Sequence, residues 1–345
     1  MKIIEPSYLV LCRDAPKPPQ SGVSGSATLE TEGFASAGRA CQAWQKRDCY
    51  KEKRGNIDMI EFAGRTCYKS EGVPGRTDSF VKGLVKRGHL SVLEHGDMVF
   101  EVLDWHIYEF LGDMFRALRD SGNKLPMLTM SKIAGRCLVS GNIRAWLELF
   151  SIGNWLGDYF KGHFDHVYLG DVPQDLKPSD KVRPIKYSEL KGYAEKKLHQ
   201  RATVRFVIDR GISHEFVRHR LFSFSQESTR YCNYSQDRFG GEISCIKPCY
   251  LVEDTEGFEI WKAQCESAEK AYFDLLNYGL TAQEARGVLP TCVKTELVMT
   301  GTLGQWEHFF DMRAREKGGK VHPQALEIAE PLLEDFKILY PDVFE

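Results

Sequence analysis

The sequence predicts an α+β protein that is rich in helix, and three observations predict it. Apolar residues recur at helical spacing late in the chain: Trp261, Cys265, Ala268, Tyr272, Leu275 and Leu276 form one stripe, and Leu303, Trp306, Phe309 and Phe310 another. Short alternating segments read as strands, best seen in TVRFVI, where Val204, Phe206 and Ile208 share a face. The two kinds of segment do not follow strict strand–helix–strand order, which argues against a doubly wound parallel sheet.

In chain order, residues 3–11 read as one strand. Residues 14–56 open on PKPPQSGVSGSA and continue into a charged, aperiodic stretch, the composition of a mobile surface insertion. Helices are expected over 57–67 and 77–87, the second carrying Phe80, Leu84 and Val85 and stopping at Gly88. A strand begins near Met98 and Phe100. Residues 105–197 read as helical in patches, with DVPQDLKPSDKVRP as a loop and a variable insertion near 160–197. After TVRFVI, Gly211 is expected to break the strand and Ser213 to cap a short helix, SHEFVRHR. The long stripe from Trp261 ends at Gly279, and Thr281 with Glu284 forms a capping box for a helix that stops near Pro290. The closing helix runs from about Pro323 to Leu339, and the tryptophans are expected mostly in the core.

The bulk numbers narrow the function. A chain of 345 residues with 42% hydrophobic and 27% charged residues is an ordinary globular composition, long enough for one large domain. A net charge of −2 lacks the basic excess of a nonspecific nucleic-acid binder, so no nucleic-acid partner is expected. No apolar run reaches membrane-spanning length, and MKIIEPSYLVLC lacks the features of a signal peptide. The ten cysteines, without a CxxC pair, read as reduced thiols of a cytoplasmic protein. Cys67, Cys137 and Cys292 are simplest as small apolar groups, and His163 with His166 as surface residues, so no metal site is expected.

The densest chemistry lies in EFVRHRLFSFSQESTRY, Glu215 to Tyr231, read as a strand–turn–strand-like segment. Arg218, Arg220, Arg230 and His219 are interleaved with Ser223, Ser225, Gln226 and Ser228, while Phe222 and Phe224 alternate with the serines. Arginine forks suit phosphate and carboxylate, and hydroxyls and amides add neutral donors, so an anionic ligand is expected here. Arg313 lies on the apolar stripe of its helix, where a guanidinium needs an anion or acceptor, and Arg286 sits in the capped helix.

RHRLFSFSQES resembles the signature of flavin-dependent thymidylate synthases: Arg-His-Arg, seven residues, then Ser, here Arg218, His219, Arg220 and Ser228. IEPS, EFAGRTCYKSE, GHLSVLEH, SGNIRAW, STRYCNYS, EARGVLP and HFFDMR resemble the same family in the same order. The resemblance implies that family's fold, a central β-sheet with flanking helices, as a single domain over 1–345 interrupted at 14–56 and near 160–197. It implies reductive methylation of dUMP to dTMP, a methyltransferase reaction using FAD, methylenetetrahydrofolate and NADPH, in a homotetramer whose active sites are shared between subunits.

By the same resemblance Ser91, Arg218, His219, Arg220, Gln226 and His308 match positions that contact FAD. Two further flavin positions, usually Asn and Arg, read Thr302 and Gly304, a change that would weaken FAD binding or move that contact to a neighbour such as Lys294 or Arg315. Glu215, Phe216, Val217 and Arg218, then Gln226, Glu227, Ser228, Thr229 and Arg230, with Arg286, match positions that hold dUMP. The catalytic set it implies is Arg313, which polarises the uracil at N3, with His89 near flavin and folate, and Ser228. Three rival readings are a different one-carbon transfer to a pyrimidine nucleotide, a non-catalytic nucleotide-binding homologue, and a cysteine-dependent thymidylate synthase built on Pro248–Cys249.

Overall fold

A computed structural model describes residues 1–11, 55–122, 127–152, 155–164, 166–169, 177–236 and 239–345. Residues 14–54 of the expected insertion lie outside these, as do 165 and 170–176 of the expected variable region. Gly55 and Asn56, assigned to the insertion, instead form the first turn of helix α1, Gly55–Tyr68. Helices α2, Thr77–Lys86, α3, Trp105–Asp120, α4, Ile143–Ser151, α5, Trp155–Lys161, α6, His166–Leu169, and α7, Gly192–His199, follow it along the chain.

The N-terminal strand is two strands, not one. β1, Lys2–Ile4, pairs in parallel with β9, Ser244–Ile246. β2, Ser7–Leu11, pairs antiparallel with β7, Arg201–Asp209. Pro6 lies between them and has no N–H to continue a ladder. β7 is antiparallel to β10, Lys294–Thr302, and β10 is antiparallel to β8, Ser223–Gln226, giving a first sheet in the order β2-β7-β10-β8.

A second sheet departs from the sequence expectation. Residues 105–197 contain a hairpin of β4, Leu128–Ile133, and β5, Arg136–Asn142, within a sheet ordered β4-β5-β3-β6, where β3 is Asp97–Val102 and β6 is Val182–Pro184. Its two-residue turn, Ala134 and Gly135, has φ of 49° and 82°, which suits the right-handed twist of the strands. Asn-Gly would have announced that turn, and Ala-Gly does not. β6 falls in the stretch expected to be a loop, and Phe160, Phe164 and Tyr168 of the expected variable region are buried core residues.

Each face of the first sheet has its own core. Phe206, Leu297 and Met299 pack with Phe216 of helix α8, Arg210–Phe216, with Trp306, Phe309 and Phe310 of helix α11, Leu303–Arg313, and with Phe336 of helix α12, Pro323–Leu339. Val298 points the other way, into the core shared by α1 and the second sheet. Trp306 anchors the first core, fully buried with its indole N–H donating to the Ala202 carbonyl. Truncating such a residue costs about 3–5 kcal/mol. The tryptophans divide, however: Trp146 and Trp306 are buried, while Trp105 and Trp155 are exposed.

Helix α8 corrects the expected cap. Asp209, not Ser213, caps it, its Oδ1 accepting the Ile212 N–H at 2.7 Å. Gly211 lies inside the helix, and the Ser213 hydroxyl donates to the Arg210 carbonyl. Elsewhere the expected helices stand: α9, Glu256–Asn277, carries the Trp261 stripe, and the Thr281–Glu284 capping box forms, although its helix α10, Ala282–Ala285, is a single turn.

Two buried histidines tie elements together. His95 hydrogen-bonds with Thr300 of β10 at 2.8 Å and Ser225 of β8 at 3.0 Å. His199, the last residue of α7, hydrogen-bonds with Ser131 and Ser140, each at 2.7 Å. Burial lowers His95 from 6.5 to about 3 and His199 from 6.5 to about 4, so both are neutral in the fold. A depressed folded value means the unfolded chain takes up protons first as pH falls. This stabilisation is complete above 6.5 and disappears as pH drops through the folded values. The midpoint of thermal unfolding should therefore fall steadily between pH 6.5 and 4. A flat midpoint across that window would show that these histidines are not held neutral.

Candidate active site

The expected site residues fall into three groups. The first is built on Arg313 in the last turn of α11, where the helix dipole favours a cation. Its Nη1 donates to the Glu215 carboxylate at 2.6 Å, its Nη2 to the Glu215 carbonyl at 3.0 Å, and its Nε to His219 Nε2 at 3.2 Å. Burial first, then the charges of Arg313 and His308, lower His219 to about 4, so the ring is neutral and can accept that bond. Of the five guanidinium N–H groups three are committed among the described residues, leaving two for a ligand. His308 faces His219 edge-on, with ring centroids 5.8 Å apart. Phe216, expected beside the substrate, packs its ring on Phe206 and Phe309, so only its main chain can reach a ligand.

The second group lies where α1 ends against the turn after β8. The Ser228 N–H donates to the Cys67 carbonyl, bringing Ser228 beside Tyr68. Tyr68 hydrogen-bonds with His89 Nδ1 at 2.8 Å and packs its ring 5.7 Å from Tyr231. Arg286 donates to Thr229 Oγ1 at 3.4 Å, and Arg230 donates to Gln283 at 3.1 Å. His89, Ser228, Thr229, Arg230 and Arg286 are thus neighbours, and Ser91 is the second residue of the short turn Leu90–His95 just beyond His89. The Ser228 hydroxyl accepts from the Arg230 N–H, and no histidine or carboxylate contacts it among the described residues.

The third group lines a cleft of about 480 Å³ between the two sheets, where Arg220, Ser223, Thr302 and Gln305 face Asn142, Arg144 and Arg201. Arg144 is paired with Glu94 and Glu148. Arg201, Arg218, Arg220, Arg230 and Arg286 form no salt bridge among the described residues, the condition of cations awaiting an anion. Thr302 caps α11, its hydroxyl accepting from Gln305 N–H at 3.2 Å.

Gly304 has a packing reason. A Cβ there would stand 3.0 Å from Lys197 Cγ and 3.1 Å from the Lys197 carbonyl oxygen. Lys197 reaches Glu307 at 2.5 Å along that helix face, where a longer residue at 304 would project. The suggested substitutes are engaged elsewhere: Lys294 with Glu227 and Glu296, and Arg315 with Asp311.

Sequence reasoning missed a buried charge cluster at the start of β10. Glu227 is 1% exposed and accepts from Lys294 at 2.7 Å, so its carboxylate points inward. Lys294 also meets Glu296, which pairs with Lys69 and with Arg205. Burial alone would raise Glu296, but Lys294, Lys69 and Arg205 together hold it down at about 2. Lys69, Glu227 and Lys294 line a second cleft of about 250 Å³. The signal was present in the two-residue spacing of Lys294 and Glu296, which puts both on one face of the strand. Gln226 is locked nearby, its amide donating to Ser213 at 2.8 Å and Thr295 at 3.2 Å.

Comparison with known proteins finds similarity over part of the chain. Residues 185–342 match the model of the thymidylate synthase complementing protein family. A flavin-dependent thymidylate synthase of Pyrococcus furiosus is 28% identical over 193 residues, 55% of this chain and 71% of that protein. Namesakes from Pyrococcus abyssi and Thermococcus kodakarensis are each 31% identical, over 42% and 46% of this chain and 58% and 63% of theirs. The match therefore spans between 58% and 71% of the length of these three relatives. A solved UMP/dUMP methylase from Streptomyces cacaoi aligns over 41% of this chain and 69% of its own, at 22% identity and a TM-score of 0.35, too partial an overlap to argue from. The family match thus covers the C-terminal part of the chain, 185–342. The curated relatives it is similar to are named flavin-dependent thymidylate synthases.

Gly304→Arg, the residue that the family resemblance leads one to expect here, should destabilise this chain by about 1–3 kcal/mol, because the backbone of Lys197 cannot yield. Chemical denaturation measures it. A variant as stable as the parent would show that the approach of Lys197 is not what fixes glycine here.

Proposed function

We propose that this protein is a flavin-dependent methyltransferase that converts dUMP to dTMP, using methylenetetrahydrofolate as one-carbon donor, FAD as cofactor and NADPH as reductant. The observation that carries the reading is Arg313, held by Glu215 and a neutral His219 with two N–H groups free, inside the segment that matches the family.

The residues present fit a flavin dinucleotide: the inter-sheet cleft offers Arg220, Arg201, Ser223 and the Thr302 turn to an anionic pyrophosphate, and neither arginine is neutralised by a carboxylate among the described residues. Ser91, Arg218, His219, Gln226 and His308 complete the proposed flavin set. When bound, the flavin supplies the hydride chemistry that side chains lack. The chain's own part is binding and electrostatics. Arg230 and Arg286, flanking Ser228 and Thr229, suit the phosphate of dUMP. Arg313 can lay its free N–H groups along the uracil edge and stabilise negative charge on the ring. His219, being neutral, orients the guanidinium without adding a competing charge.

A cysteine nucleophile is disfavoured. Burial and Glu327 push the Cys249 thiol up, opposite to what nucleophilic activation needs. The homotetramer belongs to the same proposal; Glu215, Glu227 and Arg220 line three separate clefts of the chain. A cytoplasmic setting is consistent with the free cysteines, and among the described residues no helix is long and apolar enough to cross a membrane.

The purified protein should show a flavin spectrum that changes when dUMP is added, and should form dTMP with folate and NADPH. Arg313→Lys should keep FAD and NADPH oxidation but lose roughly 10²–10³ in dTMP formation, since lysine keeps charge without the planar fork. Arg230→Ala should weaken dUMP binding by about 1.5–3 kcal/mol, read by calorimetric titration. Cys249→Ser should retain most activity. A colourless protein that takes up no FAD, or an Arg313→Lys enzyme forming dTMP at the parental rate, would sink the proposal.

A further inference from the structure

The cleft that Glu215 lines, about 420 Å³, also carries a different chemistry, built from cysteines. Cys265 and Cys292 line it beside Trp261, Asp209 and His322, and Cys245 lies just behind them. The three sulfur atoms all fall within 4.8 Å of one another, and Cys265 and Cys292 are 3.4 Å apart. Cys245 and Cys265 are buried and Cys292 is half-buried.

Three rigid elements hold this arrangement. Cys245 is the middle residue of β9, Cys265 lies mid-way along α9, and Cys292 precedes β10. The Ile246 N–H donates to the Cys292 carbonyl at 2.9 Å, and Cys245 bridges to Val293, so both backbones are fixed in register. The sequence hides the set because no two of these cysteines are close along the chain.

We propose that Cys245, Cys265 and Cys292 form a three-thiolate site for a thiophilic divalent cation, zinc in the first instance, with its fourth position open to the cleft. Four-coordinate zinc with Zn–S bonds of about 2.3 Å spaces its sulfurs about 3.8 Å apart. The observed separations, from 3.4 Å to no more than 4.8 Å, bracket that value, so side-chain rotation alone suffices. A disulfide would use two of the sulfurs and leave the third without a role. The buried Trp261 indole N–H meets no nitrogen or oxygen acceptor among the described residues, which leaves it to a ligating sulfur as outer support. Cleft water can fill the open position, giving a cation held by three thiolates and one water. Binding breaks the S–H bonds of the three thiols and forms Zn–S bonds with no change of oxidation state, and the displaced protons pass to solvent.

The test uses the full-length chain, reduced and stripped of metal, titrated with Zn(II) and separately with Co(II). One cation per chain should bind, release protons into weak buffer, and give the thiolate-to-cobalt charge-transfer band of a tetrahedral site. X-ray absorption at the zinc edge should show three sulfur neighbours at about 2.3 Å. Cys265→Ser and Cys292→Ser should each weaken zinc binding at least a hundredfold, whereas Cys137→Ser, in the other core, should not. If a serine variant fails to fold, the sulfur count on the unmodified chain still decides. A shell of two sulfurs or fewer, no charge-transfer band, or a Cys265–Cys292 disulfide that forms whether or not zinc is supplied would overturn the site.

Discussion

Strand β10 has a partner on each edge, and that constraint organises the molecule. With β7 on one side and β8 on the other, its N–H and C=O groups are taken up in ladders, and side chains can leave only above and below the sheet. Leu297 and Met299 go to the aromatic core beneath α11 and α12, and Val298 to the core shared with α1 and the second sheet. Both ends of the strand then become functional ground. Lys294 and Glu296 begin it in the buried charge cluster, and Thr302 ends it as the cap of the helix that carries Arg313.

The buried charges are costly unless each is answered. Glu296 is answered by three cations and Glu227 by Lys294, with the Tyr234 hydroxyl donating to Glu227 at 3.3 Å. Contrast the arginines of the expected ligand site, which stand at the surface without carboxylates among the described residues. A side chain answered inside the fold holds the fold. One left unanswered at the surface is available to a phosphate, and Arg313 stands between these conditions, fixed by Glu215 yet with two donors free.

Gly304 and the cysteine trio are set by contacts between elements distant along the chain. The approach of Lys197 to α11 leaves little room for a side chain at 304, while Arg201 and Arg220 line the cleft beside Thr302. The cysteines converge from three elements distant in sequence, beside the helix whose capping residue, Asp209, also lines their cleft.

Local physics was legible in the sequence. Helices α1, α9, α11 and α12 appear where a 3.6-residue stripe and a stop signal coincide, because both act within a few residues. The arginine-rich block and its family resemblance were equally readable, since motif chemistry is written in contiguous residues. What depends on partners distant along the chain was not. The β4–β5 hairpin turns on an Ala-Gly pair that carries no strong turn signal, and Pro6 divides the first strand between two different sheets. The division of the site residues among separate clefts, the neutral state of His219 and the meeting of Cys245, Cys265 and Cys292 were likewise decided by tertiary structure. Burial and distance set charge states and ligand geometry, and both are properties of the folded chain.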